Sequence, residues 1–144
     1  MAPQPFVLDC SITLAWYFKD EADPYADAVQ DSLTTREAIV PSLWPFEVAN
    51  ALLVGERRQR ATEAQTTTWL SLLRTLPIRI DHESTARTWT DTLHLARSQN
   101  LTAYDAAYLE LALRQNASLA TLDGKLKAAA AKVGIKPHPK GSKK

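Results

Sequence analysis

The sequence has few of the residues on which common cofactor sites and crosslinked folds depend. It contains four glycines among 144 residues and neither a GxGxxG fingerprint nor a P-loop, which argues against dinucleotide and nucleoside-triphosphate binding. Its single cysteine, Cys10, excludes an intramolecular disulfide and leaves a zinc or iron–sulfur site without a second thiolate. The three histidines are scattered without metal-ligand spacing. This cysteine usage fits a reducing compartment.

Long apolar runs and a strong excess of one charge are also missing. No stretch approaches the roughly 18 apolar residues of a membrane span, and the first five residues lack the features of a signal peptide. We therefore expect a cytoplasmic protein that does not enter a membrane. The net charge is +1, but residues 1–135 carry 13 basic and 16 acidic residues. Such a domain binds a polyanion only through a local basic patch or a bound metal ion.

Short β-rich runs alternate with longer segments of helical periodicity along the chain. Buried strands are predicted over 6–9, 38–41, 78–80 and 118–121, with a candidate edge strand over 135–137. Helices are predicted over about 11–18, 24–34, 45–55, 62–76, 84–99, 102–116 and 125–134. This alternation is typical of an α/β fold with a mostly parallel sheet of four to five strands flanked by helices. We expect residues 1–137 to form this single domain and residues 138–144 to form a flexible basic tail.

Four acidic residues occupy equivalent places in this pattern. Asp9 and Asp123 each close a predicted strand, whereas Glu47 and Asp105 each lie in the first turn of a predicted helix. The carboxyl ends of parallel strands and the N-termini of the following helices gather at one edge of a sheet, so we expect the four carboxylates to converge. Four carboxylates at such short distances would repel one another. Either their pKa values would rise, or they would hold a hard cation such as Mg²⁺ or Mn²⁺.

Three hydrogen-bonding residues lie beside these acids at useful spacings. Ser11 follows Asp9 by two residues, and Thr121 precedes Asp123 by two. Asn50 lies about one helical turn after Glu47. We expect these side chains to hold the carboxylates or their waters in place. A divalent ion at such a centre lowers the pKa of a bound water and orients a phosphate group, so the indicated chemistry is phosphodiester hydrolysis.

Four segments, 7–11, 47–50, 104–109 and 121–126, resemble the motifs of PIN-domain ribonucleases, and most closely those of the VapC toxins of bacterial toxin–antitoxin pairs. The resemblance runs in order from about residue 6 to residue 137, and the third motif is the most specific. It implies a PIN-like α/β/α sandwich and a Mg²⁺- or Mn²⁺-dependent endoribonuclease that cleaves RNA and inhibits translation and growth. It also implies a homodimer that is neutralised by a small VapB-type antitoxin.

On the family pattern, the catalytic and metal-binding residues are Asp9, Glu47, Asp105 and Asp123, and the supporting residues are Ser11, Asn50 and Thr121. No motif position lacks its acid. Taken singly, each acid could instead be a turn residue or could complement a helix dipole. Glu56 and Glu110 are alternative acids on the same two helices, but we expect both on solvated faces.

Other functions are compatible with some of the same residues. A receiver-like phosphoacceptor also gathers carboxylates around Mg²⁺, although this chain lacks the acidic pair after the first strand. A phosphatase with Asp9 as nucleophile would need a second aspartate where Ser11 stands. A non-catalytic PIN-like domain that binds RNA or protein is the third alternative. Arg57, Arg58 and Arg60 could bind RNA phosphates or simply stabilise a helix end.

Overall fold

The central sheet is parallel throughout, in agreement with the mostly parallel sheet that the sequence predicts. In this computed structural model, which describes residues 4–139, four strands form one sheet in the order β3-β2-β1-β4. The strands are β1 Phe6–Leu8, β2 Ala38–Pro41, β3 Ile78–Asp81 and β4 Leu119–Ala120. Val7 of β1 is in register with Ile39 on one side and Leu119 on the other. All three residues of β1 are buried, which explains their unbroken apolar run.

Eight α-helices flank the sheet within residues 4–139, so the predicted α/β class is confirmed. They are α1 Cys10–Tyr17, α2 Pro24–Ser32, α3 Trp44–Arg57, α4 Glu63–Leu73, α5 Glu83–Ala86, α6 Leu93–Gln99, α7 Ala103–Gln115 and α8 Gly124–Lys132. Several begin at the capping signals of the sequence: Asp23 accepts from the Tyr25 amide, and Thr62 and Gln65 form a complete capping box. None of the helices in this part of the chain is both long and apolar enough to cross a membrane.

The segment predicted as one helix over 84–99 is interrupted. Between α5 and α6, residues Thr88–Thr92 form a π-helical turn that leaves the Trp89 side chain 89% exposed. The threonines account for the interruption, because the Thr88 hydroxyl donates to the carbonyls of residues 84 and 85 and the Thr90 hydroxyl donates to that of residue 87. Such side-chain bonds compete with regular helical pairing.

Residues 137 and 138, on either side of the predicted boundary between domain and tail, both contact the domain. Pro137 makes a single parallel bridge to Leu119 where an edge strand was predicted: the Leu119 amide donates to the Lys136 carbonyl, and the His138 amide donates to the Leu119 carbonyl. His138 follows and is buried, with its ring stacked on Phe6 at a centroid distance of 3.7 Å. His138 therefore packs with the domain and is not part of a tail. The predicted tail residues 140–144 lie outside the described residues.

Helix α7 is the most deeply buried helix of the domain, with seven buried residues, and it packs against β1 and β2. This burial overturns one expectation, because Glu110 is only 3% exposed and does not lie on a solvated face. The charge is compensated: Arg114 donates to Glu110 at 2.7 Å and to Asp81 at 2.7 Å. The i, i+4 spacing of the glutamate and the arginine was the signal of this pair in the sequence.

Candidate functional site

Asp9 lies at the centre of the carboxyl edge of the sheet, directly after β1. It occupies the N-cap position of α1, but its side chain does not cap the helix. Its Oδ2 atom instead accepts hydrogen bonds from the Ser11 hydroxyl at 2.6 Å and from the Thr121 hydroxyl at 2.7 Å. Asp9 is 6% exposed, so these two bonds partly replace the water that the carboxylate has lost. The structure thus brings Ser11 and Thr121 onto the first acid.

The same two hydroxyls fix the loop that carries the last acid. The Ser11 oxygen accepts from the Leu122 amide at 3.0 Å, and the Thr121 oxygen accepts from the Asp123 amide at 3.0 Å. Asp123 in turn caps α8, because its Oδ1 atom accepts from the amides of residues 125 and 126. Asp123 is the one predicted acid of the four whose side chain caps a helix. The same carboxylate therefore serves both the fold and any chemistry at the site.

Glu47 is held by a residue that the sequence did not single out. It lies in the first turn of α3, and its Oε1 atom accepts a hydrogen bond from the Tyr108 hydroxyl, whose side chain is fully buried in α7. Tyr108 follows Asp105 by three residues and therefore shares its helix face, which was the available signal. Asn50 is placed differently: it is exposed on the next turn of α3 and forms no hydrogen bond to the acids within residues 4–139.

The electrostatics of the edge show that the four acids lie within one another's fields. Burial is the main cause of the raised pKa of Asp9, and the charge of Asp123 raises it further. Burial also raises the pKa of Glu47, with smaller contributions from Asp9 and Asp105, while the Tyr108 hydrogen bond opposes the shift. The pKa of Asp105 is raised by burial and then by Asp123 and Asp9. The site is therefore an acidic centre that disfavours its own ionisation.

The donor atoms of this centre suit a hard divalent cation. They are carboxylate and hydroxyl oxygens, which Mg²⁺ and Mn²⁺ prefer. A bound cation would favour the charged carboxylates and so oppose both the burial and the mutual repulsion that raise the three pKa values. The side chains do not form a closed cage, since no group of three or more His, Cys, Asp or Glu in residues 4–139 is arranged to hold a metal ion. An open carboxylate set fits Mg²⁺, which usually keeps several of its waters.

The arginines after the second motif have separate roles. Arg60 donates to Asp20 at 2.7 Å and to Glu21 at 2.8 Å, and its guanidinium lies 3.9 Å from the centroid of the Phe18 ring. It therefore ties the segment after α3 to the segment after α1. Arg57 and Arg58 are exposed at the end of α3 and remain candidates for phosphate contacts.

Comparisons with known proteins agree with this architecture. The family model of the PIN domain matches residues 6–132. Among solved structures, PAE2754 from Pyrobaculum aerophilum matches with a TM-score of 0.60 and 23% identity, over 87% of this chain and 78% of that chain. The structure of VapBC2 from Rickettsia felis, bound to a DNA fragment from their promoter, matches with a TM-score of 0.58 and 16% identity, over 85% of this chain and 91% of that chain.

At these identities the two structural matches show a shared fold and nothing finer. A comparison with curated proteins gives no match. The family model, in contrast, spans most of the chain and includes all four acidic positions. The resemblance seen in the sequence is confirmed at this level, and the chain belongs to the PIN domain family.

Proposed function

We propose that this chain is a Mg²⁺- or Mn²⁺-dependent endoribonuclease that acts as the toxin of a VapBC-type pair. PIN domains are generally nucleases, so hydrolysis of a nucleic acid is the expected chemistry of the family. The observation that carries the proposal is the acidic centre, in which burial, and to a smaller extent the charge of neighbouring acids, raises the pKa values of Asp9, Glu47 and Asp105. A fold gains no stability from such a cluster, which indicates a function for it.

The chain's own residues prepare this centre for a metal ion. Asp9, Glu47, Asp105 and Asp123 would hold it. When bound, the ion supplies a water of lowered pKa and positive charge for the phosphate group. Ser11 and Thr121 bind one oxygen of Asp9 and so leave its other oxygen for a ligand. Tyr108 fixes the Glu47 carboxylate by a hydrogen bond from a buried hydroxyl.

The proposal includes a VapB-type antitoxin, a homodimer and an RNA substrate in the cytoplasm. The likeness to VapBC2 supports an antitoxin partner, because VapBC2 is a toxin–antitoxin complex and the match covers 91% of the matched chain in it.

A non-catalytic PIN-like domain that binds RNA or protein is the second candidate. One observation favours it: one oxygen of the Asp123 carboxylate accepts the hydrogen bonds that cap α8. A receiver-like phosphoacceptor is no longer a competitor, because the chain belongs to the PIN domain family.

Cleavage of RNA by purified protein separates these candidates. Total bacterial RNA is incubated with Mg²⁺, Mn²⁺ or EDTA, and new 5′ ends are mapped for the wild type, Asp9→Asn and Thr121→Val. Asp31→Asn is the matched control, because Asp31 is an exposed carboxylate on α2. We expect discrete, metal-dependent cuts in the wild type. Thr121→Val should lower the cleavage rate about 10- to 100-fold, because Thr121 holds a proposed metal ligand in place, and Asp9→Asn should lower it further, because it changes the ligand itself. Equal cleavage by the wild type and Asp9→Asn would contradict the proposal.

A further inference from the structure

Helices α3 and α7 each supply one acid to the site from their first turn, and in each helix an aromatic residue directly precedes that acid. Phe46 precedes Glu47 in α3, and Tyr104 precedes Asp105 in α7. Successive residues of a helix project about 100° apart, so the aromatic and the acid of each pair point in different directions. The two acids lie half-buried at the site, whereas the Phe46 and Tyr104 side chains are 80% and 65% exposed.

The two exposed rings line the same cleft. Its volume is about 370 Å³, and its other lining residues are Leu43, Glu47 and Asn50. Glu47 belongs both to this cleft and to the acidic centre, so the two are continuous. A single exposed aromatic residue is common on protein surfaces, but two that line one cleft form a contiguous apolar patch, which indicates a binding surface.

We propose that Phe46 and Tyr104 form a stacking platform that holds an unpaired nucleobase next to the scissile phosphate. This inference rests on the proposed function. Aromatic rings stack on any base through its flat face, and single strands offer that face because their bases are not held in a helix. The exposed Asn50 amide lies in the same cleft and carries both donors and an acceptor for the edge of a base.

The position of the cleft favours RNA over a protein as its occupant. A strand whose phosphate lies at the acidic centre must place a neighbouring nucleotide beside that centre, and Glu47 borders the cleft on that side. The base of that nucleotide then meets two rings and an amide, which together match its face and its edge. A protein partner on the same surface is the alternative occupant, and the experiment below separates the two.

The test measures binding without cleavage. The full chain carrying Asp9→Asn is titrated in Mg²⁺ into a short oligoribonucleotide that contains 2-aminopurine, whose fluorescence is quenched by stacking. Phe46→Leu and Tyr104→Leu remove a ring, and Phe46→Tyr and Tyr104→Phe keep it. Trp89→Leu is the matched control, because Trp89 is 89% exposed and lies outside the cleft.

We expect each leucine variant to weaken binding roughly 5- to 150-fold and to reduce the quench, since stacking contributes about 1–3 kcal/mol per base. The aromatic replacements and the control should keep both signals, and pairing the oligoribonucleotide with its complement should remove the dependence on the two rings. Unchanged affinity and quench in both leucine variants would overturn the proposal. A change of sedimentation coefficient in those variants with no change in the quench would also overturn it, because the cleft would then be a protein interface.

Failure of this inference is distinguishable from failure of the proposed nuclease. Metal-dependent cleavage by the wild type with unaltered binding by the leucine variants would leave the nuclease in place and remove the platform. Ring-dependent binding and quench from a wild type that cleaves no RNA would keep the platform and remove the nuclease.

Discussion

Arg114 is the charged residue whose loss should destabilise this domain most clearly. Its guanidinium donates to Glu110 from Nε at 2.7 Å and to Asp81 from Nη2 at 2.7 Å. The side chains of Arg114, Asp81 and Glu110 are only 15%, 10% and 4% exposed. Replacing Arg114 with methionine keeps much of the aliphatic packing, but it leaves two buried carboxylates without a counter-charge.

The magnitude follows from that burial. Removing one partner of a buried ion pair costs about 3–5 kcal/mol, because the remaining charge is no longer compensated. For a domain of this size, such a loss lowers Tm by roughly 6–20 °C. A surface arginine provides the control: Arg87 contacts Glu83 at 3.2 Å and Asp91 at 3.0 Å, but its side chain is 38% exposed and theirs are more than half exposed. Water solvates these charges, so we expect Arg87→Met to leave Tm almost unchanged.

Urea denaturation at neutral pH measures both variants against the wild type. We expect a clearly lower midpoint for Arg114→Met, with an unchanged m-value. Adding Glu110→Gln should restore part of the loss, because one of the two uncompensated charges is then removed. Equal midpoints for Arg114→Met and Arg87→Met would refute the reasoning, since burial would then make no difference to the two clusters.

Three further changes test the packing, the site and the C-terminal contact. Gly55→Ala should lower Tm, because the new Cβ would lie 2.6 Å from Cζ of Phe18. Overpacking costs about 1–3 kcal/mol, which exceeds the gain in helix propensity from glycine to alanine. A higher Tm would show that the Phe18 ring moves aside. Tyr108→Phe removes the hydroxyl that holds Glu47, so steady-state kinetics should show a lower kcat with KM unchanged, and an unchanged kcat would remove this positioning role. Burial lowers the pKa of His138 from its ordinary 6.5 to about 4, so the neutral ring stabilises the fold above pH 6.5 and this stability is lost as pH falls toward 4. His138→Gln should therefore lose less unfolding free energy than the wild type between pH 7 and pH 4.5, and parallel losses would contradict this.

The sheet and the positions of the acids could be predicted because their signals are local. The apolar run of β1 marks a buried strand, and a parallel sheet gathers whatever follows its strands at one edge. Asp9 directly follows β1, and Asp123 follows β4, which is the neighbour of β1 in the sheet. The hydroxyls of Ser11 and Thr121 lie two residues from these acids, so sequence spacing alone placed them near the site.

The features that the sequence did not predict depend on packing between distant segments. Glu110 has the spacing of a surface ion pair, and only the burial of α7 places it in the interior. Tyr108 meets Glu47 across 61 residues of chain, so no local pattern records their contact. In the π-helical turn at Thr88–Thr92, threonine hydroxyls compete with backbone amides for the helix carbonyls. The periodicity of apolar residues carries no information about that competition.

Binding of Mn²⁺ to the purified chain, measured by titration calorimetry at neutral pH, tests the central claim most directly. The claim is that the acids at the carboxyl edge act together on a divalent cation. We predict saturable binding to the wild type and to the control Asp31→Asn, and at least about 10-fold weaker binding to Asp9→Asn and to Asp105→Asn. Equal binding by all four proteins, or no binding by the folded wild type, would contradict the claim.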